Sequence, residues 1–269
     1  MVRLPVQKGF SSMMKSYFVE GLQGAGKSTY VQYLEKKLSQ DCRVYREGDY
    51  SPVELAWCAY LDQNEYEAVL EKYHEIEEEI HANTYREEDK YVVCYTRILT
   101  DIEGFHQFME QYEIYNGNRS LEEYEDILLK RFDRWKGEPA VFECSILQNI
   151  VENNILFYEM SDDRIVAFYK NLRKILENKE YQILYLVAED IRGNIQKIRR
   201  ERSDENGNEL WFPMMLSYLE NSPYGKKNGL RGEESLIKHL EHRQRLEQRI
   251  LKEVFYDHSQ CIRRGEEIF

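Results

Sequence analysis

The residues best suited to chemistry form one short run near the start of the chain. Residues 21–28 read Gly-Leu-Gln-Gly-Ala-Gly-Lys-Ser and fit the pattern G-x-x-x-x-G-K-[ST]. In such a run, glycines let backbone N–H groups curl around phosphate oxygens, the lysine reaches the β- and γ-phosphates, and the hydroxyl helps to hold Mg²⁺. The run therefore predicts a site for a nucleoside triphosphate, taken as ATP, with Mg²⁺. The expected contacts are Gly21, Gly24, Ala25, Gly26, Lys27, Ser28 and Thr29, with Lys27 catalytic and Ser28 on the metal.

The flanking segments predict the elements that hold this run. Apolar residues at 17–20 precede the glycines, and Val31, Leu34 and Leu38 follow at helical spacing. The run therefore joins a strand to a helix, and the helix N-terminus adds the positive end of its dipole to the phosphate site.

Further strands alternate with helices along the chain. Apolar runs predict strands at residues 43–47, 140–143 and 182–187 and an additional strand at 91–95, and a helix follows from residue 190. This alternation favours an α/β fold of the P-loop NTPase type, with a mostly parallel sheet flanked by helices.

The chain length allows one sizeable core. We predict a single domain over residues 1–269, with residues 1–12 as a flexible extension. Residues 61–136 are expected to form a helical insertion and residues 190–212 an arginine-rich lid.

Local patterns predict two helix starts and argue against a metal site at His239 and His242. Asn64 and Ser120 each have a Glu three residues later, which is typical of capped helix starts. His239 and His242 lie three apart on a Glu- and Arg-rich helix, but no Cys or acidic cluster completes a metal site. We therefore predict a solvated helix there.

The predicted lid carries a run of arginines. Arg192, Arg199 and Arg202 are seven and then three residues apart, so a helix aligns them on one face. A mobile basic lid suits phosphoryl transfer, in which positive charge closes over the phosphates and water is kept out. We predict catalytic roles for Arg192 and Arg199, with a solvated basic helix as the alternative.

Composition excludes several classes of protein. Lys+Arg 37 against Asp+Glu 49 gives a formal charge of -12, which argues against nucleic-acid binding because such binding neutralises phosphates. No stretch approaches the roughly 20 apolar residues of a membrane span. The five cysteines form no Cys-x-x-Cys pair, and no apolar signal core precedes Ser11. We therefore expect a cytoplasmic protein with reduced thiols.

Two segments carry a family resemblance. Residues 18–29 resemble the opening of thymidylate kinases, F-E-G-x-D-G-A-G-K-[ST]-T, with Gln23 in place of Asp. Residues 46–52, Arg-Glu-Gly-Asp-Tyr-Ser-Pro, resemble the R-E-P-G-G-T-P loop of that family. The resemblance implies that Arg46 binds an anionic group of the acceptor. By similarity to the related deoxynucleoside kinases, Glu47 accepts or orients the acceptor hydroxyl.

A third segment departs from the family pattern. Residues 142–145 read Phe-Glu-Cys-Ser, whereas thymidylate kinases have Asp-Arg and deoxynucleoside kinases Glu-Arg-Ser at this point. Glu143 is therefore expected to bind the metal or its water, while Cys144 replaces the arginine. Arg97 could substitute for that arginine or be an exposed structural residue. Trp57 could stack on a planar acceptor ring, although packing in the core is the simpler expectation.

These patterns support one leading hypothesis and two alternatives. The leading one is an ATP- and Mg²⁺-dependent kinase that moves the γ-phosphoryl group to a small anionic or hydroxyl acceptor, foremost a nucleoside or nucleoside monophosphate. The alternatives are a nucleotide-dependent switch or assembly protein, and a kinase for an antibiotic or another non-nucleoside metabolite. A homodimer is also left open, because related kinases are often dimers.

Overall fold

The computed structural model describes residues 15–38, 42–204 and 207–263, so the predicted extension at residues 1–12 lies outside it. The described chain contains two sheets. The strands are β1 (Ser16–Gly21), β2 (Arg43–Tyr45), β3 (Ala59–Leu61), β4 (Thr84–Glu87), β5 (Lys90–Val93), β6 (Ala140–Glu143), β7 (Tyr181–Leu186) and β8 (Ser259–Ile262). The main sheet has the order β2-β6-β1-β7-β8, and all its neighbouring pairs are parallel.

Helices surround the sheets and account for most of the remaining chain. Two short 3₁₀ helices lie at His74–Ile76 and Tyr95–Arg97. The α-helices are α1 (Lys27–Lys37), α2 (Gln63–Lys72), α3 (Glu77–Ala82), α4 (Phe105–Glu110), α5 (Leu121–Arg134), α6 (Gln148–Leu156), α7 (Asp162–Ile175), α8 (Ile191–Glu201), α9 (Trp211–Asn221), α10 (Pro223–Lys227) and α11 (Gly232–Glu253). None of these described helices is both long enough and apolar enough to cross a membrane.

The central strand β1 shows how the layers are built. Its six residues are all buried, as expected for a strand with neighbours on both edges and helices on both faces. Side chains alternate between faces: Phe18 packs into the large core with α5, α6, α7 and α11, whereas Tyr17 and Val19 pack with Val31 and Leu34 of α1. The predicted α/β architecture with a parallel sheet flanked by helices is confirmed.

The helical insertion predicted at residues 61–136 contains a small antiparallel sheet as well as helices. The strands β4 and β5 pair antiparallel with each other, and β5 also pairs antiparallel with β3. The strand predicted at residues 91–95 is present as β5. These strands are only three or four residues long and lie between helices, so the helical pattern dominated the prediction. A separate apolar cluster packs around this second sheet.

The two predicted helix starts have different outcomes. Ser120 caps α5 and Glu123 closes the reciprocal capping box, as predicted. In contrast, α2 is capped by Asp62 and not by Asn64, because Asp62 already has Glu65 three residues later to complete its own box.

Candidate functional site

The glycine loop (residues 21–28) lies at the carboxyl end of β1, between that strand and α1. Gly21 has φ 138°, and an added Cβ would lie 2.5 Å from the Leu186 carbonyl oxygen. Gly24 has φ 77°, and an added Cβ would lie 2.6 Å from Ile198 Cδ1 of α8. Glycine is thus required at both positions, since one approaches the neighbouring strand and the other approaches α8.

The remaining predicted contacts complete the turn into α1. The Ala25 N–H donates to the Leu22 carbonyl at 3.2 Å. Gly26 is the N-cap of α1 with φ 95°, and Thr29 is exposed in the first turn of that helix. The free N–H groups of this helix start therefore point toward the space in front of the loop, as an anion site requires.

Lys27, Ser28 and Glu143 meet at this edge of the sheet. The buried Lys27 ammonium donates to the carbonyls of Gly21 at 3.0 Å and Leu22 at 2.8 Å. The Ser28 hydroxyl donates to Glu143 Oε1 at 2.6 Å. Because β6 lies parallel to β1, the carboxyl ends of the two strands bring Glu143 beside the glycine loop.

The hydroxyl of Ser28 and the carboxylate of Glu143 are oxygen ligands of the kind that Mg²⁺ prefers. No group of three or more His, Cys, Asp and Glu side chains that could hold a metal occurs in the described part of the chain. Mg²⁺ is commonly held by one or two protein oxygens together with substrate phosphates and water, and not by a protein cage. The two residues therefore fit a metal that arrives with a nucleotide.

Glu47 lies in the loop after β2 and joins this group. Gln148 Nε2, at the start of α6, donates to Glu47 Oε1 at 3.0 Å. Glu47 retains exposed surface, yet its carboxyl group lies among protein atoms, as in a side chain that lines an open cleft. This desolvation raises the pKa of Glu47, the Lys27 ammonium opposes the rise, and the Glu143 carboxylate adds to it.

The other three residues predicted for the acceptor are exposed and lie in or next to the same loop. Arg46 pairs with Glu35 of α1 at 2.8 Å, with both side chains largely exposed. Arg97 pairs with Asp49 at 3.2 Å.

Trp57 is 44% exposed with φ 64°, so the expectation that it packs in the core is wrong. An added Cβ on Gly48 would lie 3.9 Å from Trp57 Cβ, which places Trp57 beside the loop that carries Glu47.

The lid arginines share a face, but that face contacts α11 and the chain before α9. Arg192 pairs with Glu234 at 2.6 Å, and Arg199 pairs with Glu233 at 2.7 Å and Glu209 at 2.8 Å. The Arg199 guanidinium also lies 4.0 Å from the centre of the Phe212 ring. The structure therefore does not bring Arg192 and Arg199 together with Lys27; the residues of α8 next to Gly24 are Asn194 and Ile198.

A buried polar network behind the glycine loop was missed by sequence reasoning. Arg243 of α11 has no exposed side-chain surface and donates from Nη2 to Gln23 Oε1 at 2.7 Å. It also lies 3.0 Å from Glu152 and 3.2 Å from Glu247. His239 is buried against the same Glu152 at 2.9 Å, so the prediction of a solvated helix is wrong for His239.

One signal in the sequence pointed to this network. His239, Arg243 and Glu247 are each four residues apart, so they lie on one face of α11, and Leu236, Leu240 and Ile250 are buried with them. Burial alone would raise the pKa of Glu152, but His239 and Arg243 outweigh it and lower that pKa to about 2. Glu152 is therefore a buried carboxylate held by Arg243 and His239.

A second buried carboxyl group connects β1 to the segment after β6. Glu20 accepts hydrogen bonds from the backbone N–H groups of Ile146 at 2.7 Å and Gln148 at 3.0 Å. Burial raises the pKa of Glu20 to about 7, although these two donors oppose the rise. Two residues before Ile146, the buried Cys144 has φ 59°, a backbone conformation that non-glycine residues seldom adopt and that often occurs at functional sites. Glu20 thus holds the segment that presents Glu143 and Gln148.

The chain was compared with known proteins. No protein-family model matches it, and no curated protein matches it.

Proposed function

We propose that the protein is an ATP- and Mg²⁺-dependent kinase with a P-loop NTPase fold, which transfers the γ-phosphoryl group to a small acceptor. The observation that carries this proposal is the convergence of Lys27, Ser28, Glu143 and Glu47 at the carboxyl ends of β1, β6 and β2. In open α/β sheets, ligands bind at this edge. The strand–loop–helix context of the glycine loop is the one that the sequence motif requires.

Each member of the group has a distinct role in this reaction. The N–H groups at the start of α1 and the Lys27 ammonium hold the β- and γ-phosphates, and Ser28 and Glu143 hold Mg²⁺ directly or through water. The metal, when bound with the nucleotide, neutralises charge that develops on the transferred group. Because phosphoryl transfer is catalysed mainly by positioning and electrostatics, these contacts account for most of the expected rate enhancement.

Glu47 takes the acceptor proton. The acceptor oxygen forms a bond to the γ-phosphorus as the bond from that phosphorus to the β–γ bridging oxygen breaks, which leaves ADP. The acceptor hydroxyl proton passes to the Glu47 carboxylate, whose raised pKa makes it a better base than an ordinary surface carboxylate. Lys27 lies near enough to Glu47 to limit that rise.

The acceptor binds on the Glu47 side of the cleft. The proposed role of Trp57, which is exposed beside this loop, is to stack on a planar ring of the acceptor, and Arg46 and Arg97 are exposed near the same loop. Closure of the lid would exclude water. A cytoplasmic location follows as part of the same proposal, since ATP is the donor.

ADP release across nucleosides, nucleoside monophosphates, sugars and aminoglycosides tests the proposal. We expect acceptor-dependent ADP release that requires Mg²⁺ and is lost in Lys27→Met. Slow hydrolysis that no small acceptor accelerates, but that a protein partner stimulates, would instead favour the nucleotide-dependent switch. Absence of ATP binding by calorimetry would reject both.

A further inference from the structure

The acceptor side of the cleft is rich in carboxyl groups. Glu47 and Glu143 lie close enough across the site for their carboxylates to repel, and this repulsion raises the pKa of Glu47. Lys27 is the cation that lies near Glu47. Because Lys27 belongs to the glycine loop, we expect it to bind the phosphates of the donor nucleotide and not those of the acceptor. A second phosphate group would therefore enter a region whose local charge is negative.

The arginines around this region already have carboxylate partners. Arg46 pairs with Glu35, and Arg97 pairs with Asp49. The buried Arg131 pairs with Glu87 and also donates to the Ser51 carbonyl. Where both related kinase groups place an arginine, the chain has the buried thiol of Cys144, whose pKa burial raises well above its ordinary value.

Gln148 supplies an independent indication of the ligand. Gln148 is 4% exposed, and its Nε2 donates a hydrogen bond to Glu47 Oε1. Its Oε1 is buried and has no hydrogen-bond partner within the described residues. A buried carbonyl oxygen in this position calls for an O–H or N–H donor, which a hydroxyl or an amine supplies and a phosphate dianion does not. The unpartnered oxygen lies on the residue that contacts Glu47.

We propose that the acceptor carries no phosphate: it is an uncharged or cationic compound whose reacting hydroxyl faces Glu47 and whose neighbouring O–H or N–H group donates to Gln148 Oε1. This inference rests on the proposed kinase function and narrows its acceptor class. It departs from the nucleoside monophosphate that the resemblance to thymidylate kinases implies. Electrostatic complementarity is the reason, since a dianionic phosphate on the acceptor would face Glu47, and the three arginines described above already have carboxylate partners.

Matched pairs of ligands test the inference. Thymidine, deoxycytidine, glucose and kanamycin are each compared with their monophosphate ester, by calorimetry with Mg-ADP present and by ADP release with Mg-ATP. We expect at least one unphosphorylated member to bind about tenfold or more tightly than its ester. Equal or tighter binding of the ester in every pair that binds would overturn the inference, and so would the absence of binding by every unphosphorylated member.

The two readouts separate this inference from the proposed function. Binding of an unphosphorylated member without ADP release supports the acceptor assignment and rejects the kinase. ADP release that is faster with the esters keeps the kinase and rejects the assignment.

Two variants examine the residues involved. Gln148→Leu should raise the acceptor KM about tenfold or more and leave the KM for ATP unchanged, whereas Gln196→Leu, an exposed glutamine on α8, should change neither. Thermal melting confirms that both variants fold. If Gln148→Leu melts early, Gln148→Met, a side chain of similar length that lacks the amide oxygen, serves in its place. An unchanged acceptor KM in a folded variant would contradict the role of Gln148.

Discussion

Two regions next to the glycine loop contain arginines, and they are built differently. Behind the loop, Arg243 is fully buried among Gln23, Glu152 and Glu247. On the lid, Arg192 keeps 49% of its side chain exposed and pairs with surface carboxylates. Exposed ion pairs add little to stability, whereas breaking a buried pair leaves an uncompensated charge. The comparison contrasts a buried ion-pair network behind the loop with an exposed ion pair on α8, the segment predicted to form the lid.

Loss of Arg243 should have the largest effect and would test the buried network directly. Arg243→Met leaves Glu152 and Glu247 buried without their guanidinium partner, so we expect the free energy of unfolding to fall by about 3–5 kcal/mol. Urea unfolding measures the change. Arg245→Met, an exposed arginine on the same helix, is the matched control and should behave like the wild type. If Arg243→Met were as stable as Arg245→Met, the buried arginine behind the loop would contribute no more to stability than an exposed one.

Loss of Lys27 tests whether the supported loop, and not the lid, holds the phosphates. Lys27→Met removes the ammonium that lies over the glycine loop, and we expect turnover to fall by about 100- to 1000-fold with the fold intact. Steady-state ADP release measures the change, and circular dichroism checks the fold. If Arg199→Ala lowered turnover more than Lys27→Met does, the main phosphate contact would be on the lid and not in the glycine loop.

The pH dependence of protein stability tests the role of Glu20, the carboxyl group of β1 that binds the segment after β6. Burial raises the pKa of Glu20 to about 7 from an ordinary value of 4.5. The unfolded chain therefore loses this proton first, so the stability contributed by the protonated form is complete below pH 4.5 and is lost as pH rises through about 7. Glu20→Gln should remove this loss, which amounts to about 3 kcal/mol at most.

Urea unfolding at pH 5 and at pH 7.5 compares Glu20→Gln with the wild type. Glu122→Gln, a surface carboxylate of α5, is the control and should follow the wild-type pH dependence. If Glu20→Gln also follows it, Glu20 ionises normally and its support of the segment after β6 is not proton-linked.

The lid should give the smallest change in stability. Arg192→Ala removes an exposed contact to Glu234, so the unfolding midpoint should stay at the wild-type value. Hydrogen exchange in α8 should become faster, because one tether to α11 is lost. Arg200→Ala, also exposed on α8, is the control for exchange. A fall in global stability as large as that of Arg243→Met would show that the lid is part of the rigid core.

The glycine loop was predictable because its information is local. Lys27 and Ser28 lie within one eight-residue motif, and the apolar residues on either side identify the strand and helix that hold it. Glu143 was expected near them from the resemblance at residues 142–145, and it lies there because the parallel strands β1 and β6 end at the same edge of the sheet. The regular alternation of strands and helices likewise identified the architecture.

Features that depend on distant contacts were not predictable. Gln23 and Arg243 are 220 positions apart, and nothing in either local sequence indicates that they meet. The strand β8 has two exposed residues among its four, so it lacks the apolar run that identifies a strand. Trp57 was expected in the core because tryptophan usually is buried, but its backbone turns at φ 64° and leaves it at the surface.

The amino-acid order alone therefore determined which residues could hold a phosphate and that a parallel sheet would carry them, because both depend on spacing along a few residues. The tertiary structure decided which charged side chains are buried behind that site and which are exposed, because this depends on packing between distant segments. Arg243 and Arg192 are chemically identical side chains, and only packing makes one a buried support and the other an exposed tether.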